Sequence, residues 1–250
     1  YNKGAVNGKK YVGGVSGYNY EEGTIDNCYN SAAVSGTEDF VGGVCGCNVV
    51  NIENCYNAGA DSGMGENAGG VSGINHGTIS SCYYNQDTCT VKAISGADDA
   101  NHNVVGLSIE QMTGSDWATN MPGLSDTVWA RRAGETDGKV YYPYLKSMSE
   151  ESAAYDYLYT VELETNEGAI IEGNVEYYIY EIGATLPTNV TKTNYTFEGW
   201  YDNEELSGEV ITSITATDLG DKKYYAKWES IKHTIKASAG EHGTISPEGE

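Results

Sequence analysis

The chain has 250 residues, 36 Asp and Glu against 14 Lys and Arg, and a formal net charge of −22. That balance excludes a phosphate-tracking nucleic-acid binder, which needs clustered cations; residues 1–90 contain only Lys3, Lys9 and Lys10. The 21 tyrosines exclude an acidic disordered tail, a class poor in aromatics.

Glycine, at 32 residues, stands well above the usual ~7%, and there are only 4 prolines. Many turns, and hence β-structure, are expected. No run of about 18 apolar residues is present, so no membrane insertion is expected. The chain opens on Tyr1-Asn2, the tail of a phrase that recurs later. It is therefore expected to be part of a longer protein, with any export signal or anchor elsewhere.

Residues 1–90 repeat themselves. "IDNCYN" at 25–30 returns as "IENCYN" at 52–57 and as "ISSCYYN" at 79–85. Upstream of each lies a second phrase: "VGGVSG" at 12–17, "VGGVCG" at 41–46 and "AGGVSG" at 68–73. Tyr29, Tyr56 and Tyr83 keep a strict period of 27 residues. A fixed period in this range signals a stacked array. Short apolar runs between Gly and Asn clusters read as strands and turns. Each repeat is then one coil of a β-solenoid, with equivalent residues roughly 4.8 Å apart.

Stacking gives the repeated residues a role. Ile25, Ile52 and Ile79 form one inward column, and Cys28, Cys55 and Cys82 form another. Free cysteine behaves as a small apolar side chain, so the thiols are read as packing groups. A column of disulfides is geometrically demanding. Asn27, Asn30, Asn54, Asn57 and Asn85 fall where the coils turn. Asparagine tolerates such backbone and can hydrogen-bond along a ladder. The "GGVSG" and "CYN" units resemble GLUG-motif repeats of bacterial surface and secreted proteins.

Residues 91–150 break the period. "LSIEQMTGSDWATNM" at 107–121 can start a helix, with Ser108 as N-cap and Gln111 as capping-box partner. "TVWARRAGETDGKVYYPYL" reads as two short strands around a Gly-rich turn. The segment is expected to cap the open end of the solenoid, which would otherwise invite edge pairing. Residues 146–156 are polar and small, and read as a linker.

Residues 157–229 form a different unit. "YTVELET" and "VEYYIYEIG" alternate like strands, and "TNYTFEGWYDNEELSG" and "KKYYAKWE" follow. Phe197, Gly199, Trp200 and Tyr201, then Tyr225, Ala226, Lys227 and Trp228, resemble the Listeria–Bacteroides repeat (InlB B-repeat). The resemblance implies a small β-grasp-like domain serving as an extracellular spacer or adhesion module. It places Phe197 and Trp228 in the core and leaves Trp200 and Tyr201 partly exposed. The family pattern has two glycines where this chain has Glu167-Gly168. Four lysines against fourteen carboxylates leave the unit at −10. Residues 231–250 read as the start of a further, truncated β unit.

No catalytic constellation stands out. Glu21-Glu22 and Glu38-Asp39 sit in loops out of register with one another. Cys45 and Cys47 replace Ser16/Ser72 and Tyr18/Ile74 of the other repeats, and no Cys/His cluster supplies further zinc ligands. "DSGMGEN" at 61–67 misses the EF-hand spacing. Cys–His catalysis with His76 or His102 has no motif behind it. No metal, cofactor or catalytic residue is expected.

The tyrosine column at 29, 56 and 83 admits two readings. It is either an outward stripe on which sugar rings stack or a self-stacking ladder that stiffens the solenoid. Trp200 and Tyr201 are the other candidate ligand contacts. The expectation is a mainly β, non-enzymatic region of an extracellular bacterial protein, surface-attached or secreted, acting as a monomeric adhesin or spacer stalk. A surface glycan or protein is the expected partner class. The alternatives are a carbohydrate-binding region of a secreted enzyme and, further off, a polysaccharide lyase.

Overall fold

The computed structural model describes residues 1–63, 67–97, 102–132, 139–149, 153–232 and 241–243. Parts of the "DSGMGEN" loop, the Gly-rich turn at 133–138 and most of the β unit expected at 231–250 lie outside them. The chain is nearly all β and divides into two compact units, residues 1–157 and 158–250.

The first unit is a three-sided parallel β-solenoid. One face stacks Val6–Gly8, Val34–Gly36 and Asp61–Gly63. The second stacks Val12–Gly13 and Ser16–Asn19 under Val41–Gly42 and Cys45–Asn48, and these under Ala68–Asn75. The third stacks Thr24–Asp26 and Tyr29–Asn30 under Asn51–Glu53 and Tyr56–Asn57, and these under Thr78–Asn85. The two phrases of each repeat thus occupy two faces, and a third strand column completes the coil.

The paired glycines have a steric cause. A Cβ on Gly13, Gly42 or Gly69 would lie 2.0–2.1 Å from the carbonyl oxygen three residues on, so the chain bends there only without a side chain. A Cβ on Gly14 would meet Asn30 at 2.4 Å, on Gly43 Asn57 at 2.1 Å, and on Gly70 the Tyr84 ring at 2.7 Å. The second glycine therefore makes room for an inward side chain from another face.

Those inward side chains form ladders. Asn2 donates from Nδ2 to Asn30 Oδ1 at 2.7 Å, and Asn30 to Asn57 Oδ1 at 2.8 Å. A second ladder, not anticipated from the repeats, runs Asn19–Asn48–Asn75 with Nδ2–Oδ1 distances of 2.7 Å. Most of these side chains also bond the backbone two residues on, as Asn57 does with Gly59 N and O at 3.1 and 3.0 Å. A buried amide is tolerable only when its donors and acceptors are met, and the stacking meets them. Asn27 and Asn54 sit at turns with φ of 50° and 51°, where Asn is tolerated better than most residues.

Between the ladders lies an apolar core of Ile25, Ile52, Ile79, Val44, Val71, Cys45, Cys55 and Cys82, with Cys28 packed against it. Solenoid pairing continues past residue 90: Lys92–Ala97 and His102–Leu107 lie on the third coil as a partial fourth. The capping box forms at Ile109–Thr113. Ser108 Oγ accepts from Gln111 N at 3.2 Å, and Gln111 Oε1 accepts from Ser108 N at 2.9 Å.

The rest of the segment packs on the flank, against the tyrosine column. Trp129–Ala130 pairs antiparallel with Tyr144–Leu145, whereas Lys139–Tyr141 pairs with Tyr155–Tyr157. The end of the expected linker is accordingly built in: Ala153 and Ala154 are buried and Tyr155 begins a strand.

In the second unit the sheet runs in the order Tyr177–Ile179, then 158–164, then Lys222–Ser230, then Tyr195–Tyr201. First and last strands are parallel neighbours and the outer pairs are antiparallel, which is the β-grasp order of strands. No helix is present among the described residues of this unit. Val161, Tyr178, Leu186, Val190, Trp200, Ile214, Tyr224 and Ala226 make its core. The Glu167 position keeps a glycine-like backbone at φ 69°, and Glu167 Oε2 meets Lys192 Nζ at 3.3 Å. Gly168 is sterically required, because a Cβ there would lie 2.3 Å from the Trp228 ring.

Candidate functional site

The tyrosine column points out of the solenoid but does not reach solvent. Tyr29 and Tyr56 are 0% exposed and Tyr83 is 4% exposed. Tyr1, Tyr29 and Tyr56 stack with centroids 5.0 and 5.1 Å apart and interplanar angles of 13° and 4°. Tyr142 continues the stack at 6.1 Å from Tyr56, and Trp129 tilts against Tyr29 and Tyr56 at 6.0 and 5.6 Å. Tyr56 OH donates to Pro143 O at 2.6 Å, and Tyr83 OH accepts from Gly123 N at 3.0 Å. The outward sugar-stacking stripe is thus corrected to a sealed ladder. Residues forty or more positions downstream cover it.

Trp200 and Tyr201 are corrected in the same way. They are 2% and 6% exposed, and Trp200 Nε1 donates to Pro187 O at 2.8 Å. Phe197 and Trp228 pack against the core at its edge, 5.3 Å from each other. The bulge at Gly199, with φ of 136°, turns Trp200 inward.

All six cysteines are free. Cys28, Cys55 and Cys82 each donate to the carbonyl two residues back, at 3.3, 2.9 and 3.2 Å. Cys45 donates forward to Cys47 O at 3.2 Å, as Ser16 and Ser72 do to Tyr18 O and Ile74 O. A hydroxyl and a thiol fill one role there, which explains their exchange between repeats. The Cys55 contact and burial hold the Cys28 thiol far above the ordinary range. Burial pushes Cys45 up to about 12. For Cys55 the Cys28 contact lowers the value, but the Cys82 contact and burial outweigh it.

These thiols are poor nucleophiles, since reactivity belongs to the thiolate. They also predict a pH dependence. Above about pH 9 the unfolded chain loses thiol protons that the folded chain retains, so stability falls as pH rises. For Cys45 the loss continues toward pH 12. Urea midpoints between pH 8 and 11 should decline, and Cys45→Ser should flatten the slope. An unchanged slope in Cys45→Ser would refute this account of the thiol.

Glu21, Glu22 and Glu38 are exposed loop residues, and Asp39 is half-buried. Among the described residues no group of three or more His, Cys, Asp and Glu is placed to hold a metal. A surface hollow of about 220 Å³ is lined by Lys3, Ser31, Tyr142, Ala154, Tyr155 and Asp156. Its polar groups are bound to one another and to backbone: Tyr142 OH donates to Asp156 Oδ2 at 2.7 Å, and Lys3 Nζ to Ala153 O at 3.2 Å.

The exposed aromatics lie elsewhere. Tyr11, Tyr18 and Tyr20 are 40%, 46% and 58% exposed. Tyr11 and Phe40 precede the glycine phrase in successive coils, and Tyr18 lies in register with Cys47. That register was readable in the repeat alignment.

Residues 8–35 match the family model of the GLUG motif. That span runs from the first face of one coil to the first face of the next, so the GLUG match covers one full turn of the solenoid. Residues 159–227 match the Listeria-Bacteroides repeat domain. This second span takes in most of the four-stranded sheet, including Phe197 and Trp200, and ends one residue before their ring neighbour Trp228. The two repeat domains, in this order, suggest a region of a bacterial surface protein. No curated protein and no solved structure matches the chain. No helix among the described residues is long and apolar enough to cross a membrane.

Proposed function

We propose that this chain is a non-enzymatic, stiff spacer in an extracellular bacterial protein, surface-attached or secreted, and that it works as a monomer. One observation carries the reading: the side chains with chemical potential are turned into internal ladders. The ring stack is sealed by Trp129 and Tyr142. The asparagines bond one another along the stack. Groups used this way give rigidity rather than turnover. The acidic surface adds self-repulsion, which keeps such a protein soluble and apart from its copies.

Single-molecule stretching of the full chain tests the spacer reading. The solenoid is expected to resist as one body and then release about 3.4 Å per residue in a single event. Gradual extension at low force would sink the reading. Adhesion, the other role open to such a region, requires an exposed contact surface.

A further inference from the structure

Tyr11, Tyr18, Tyr20 and Phe40 form one continuous aromatic cluster on the first two coils. Tyr11 stacks on Phe40 with centroids 5.0 Å apart and an interplanar angle of 15°. Tyr18 meets Tyr11 edge-on at 5.3 Å and Tyr20 edge-on at 5.8 Å. Contiguous exposed rings, unlike singly scattered apolar side chains, mark contact surfaces.

The backbone under the cluster points the same way. Tyr11 has φ of 56° and Phe40 of 67°, the left-handed region that bulky side chains avoid. Glycine would sit there without strain. Two successive coils nevertheless hold an aromatic ring at this corner, where the third coil has Asn67. Strain of this type concentrates at binding sites.

We propose that Tyr18 and Tyr20, backed by Tyr11 and Phe40, are a stacking platform for an uncharged glycan. The proposal goes beyond the spacer reading, which does not depend on it. A pyranose has an apolar C–H face and a rim of hydroxyls. Tyrosine matches both, with an apolar ring and a polar tip. Exposed Glu21 and Glu22 follow Tyr20 directly and supply acceptors for sugar hydroxyls.

Charge selects against anionic occupants. An anionic glycan, a nucleic acid or a second copy of this chain meets a net charge of −22. A basic peptide finds the Tyr11 and Phe40 rings already taken, because Lys10 Nζ stands 5.2 and 5.1 Å from their centroids. The rings of Tyr18 and Tyr20, at 46% and 58% exposure, are the more open ones.

The test applies the full chain to arrays of neutral, sialylated and sulfated oligosaccharides and of Lys/Arg-rich peptides. The Tyr18→Ala/Tyr20→Ala variant is run beside it. The expected result is retention on a neutral glycan, weakened about tenfold in the double variant with the melting temperature unchanged. Should the double variant not fold, Tyr20→Ser alone decides, since its ring is the most exposed of the cluster. The proposal is overturned if no neutral glycan is retained, if the folded variants bind as well as the parent, or if only basic peptides bind.

Discussion

Gly42→Ala is expected to destabilise the first unit by about 3 kcal/mol or more. The new Cβ would lie 2.0 Å from Cys45 O in its own coil and 2.7 Å from Gly73 N in the next. Both are backbone atoms in stacked strands, so neither can step aside without breaking register. Gly42 belongs to the middle coil, and the fault would spread both ways. Gly4→Ala is the control. Only Asn2 Oδ1 lies near its Cβ position, at 3.9 Å, and its effect should stay within about 0.5 kcal/mol. Urea unfolding of both variants measures the contrast. Equal losses would refute the steric account of the glycine pair.

The second large effect is expected at Trp129. Trp129→Ala should cost about 3–5 kcal/mol, as removal of a fully buried large aromatic does. The side chain is 0% exposed, tilts against Tyr29 and Tyr56, and donates from Nε1 to Asn27 Oδ1 at 2.9 Å. Its loss opens the tyrosine stack to water. Protection of the Tyr29 and Tyr56 amides from hydrogen exchange should fall together with the unfolding midpoint. Trp129→Phe should retain most of the midpoint, because a ring still covers the stack and water can replace the indole at half-buried Asn27. A Trp129→Ala midpoint equal to the parent's would mean that the flanking segment only rests on the solenoid.

The parts of this architecture that are local to a repeat were legible in the sequence. Ile52 and Cys55 announce an inward column by recurring at one period, and Ser108 with Gln111 announces a helix start by spacing alone. The parts that depend on distant chain were not. Strand alternation says that Tyr56 faces opposite to Cys55, but not what covers it. Trp129 and Tyr142 do so from more than seventy residues away. Trp200 likewise turns inward through a bulge at Gly199 and a carbonyl at Pro187, and that distant carbonyl cannot be read from the residues around Trp200. The Asn19–Asn48–Asn75 ladder could have been found, since "GYN", "GCN" and "GIN" stand in aligned positions. For the exposed aromatic cluster the repeat alignment puts Tyr11 and Phe40 at one corner of successive coils, but only the fold brings Tyr18 and Tyr20 against them.

The coil spacing has a consequence for length. Coils stand roughly 4.8 Å apart, yet each consumes 27 residues between Tyr29 and Tyr56. The same residues fully extended would span about 90 Å. The solenoid gives up contour for girth, and its height is quantised. A duplicated repeat would add one fixed step, and a deleted one would subtract it. In either case Asn meets Asn and ring meets ring at the new junction. Height thus changes in whole steps, while the flanking segment that seals the rings sets how many coils it can cover.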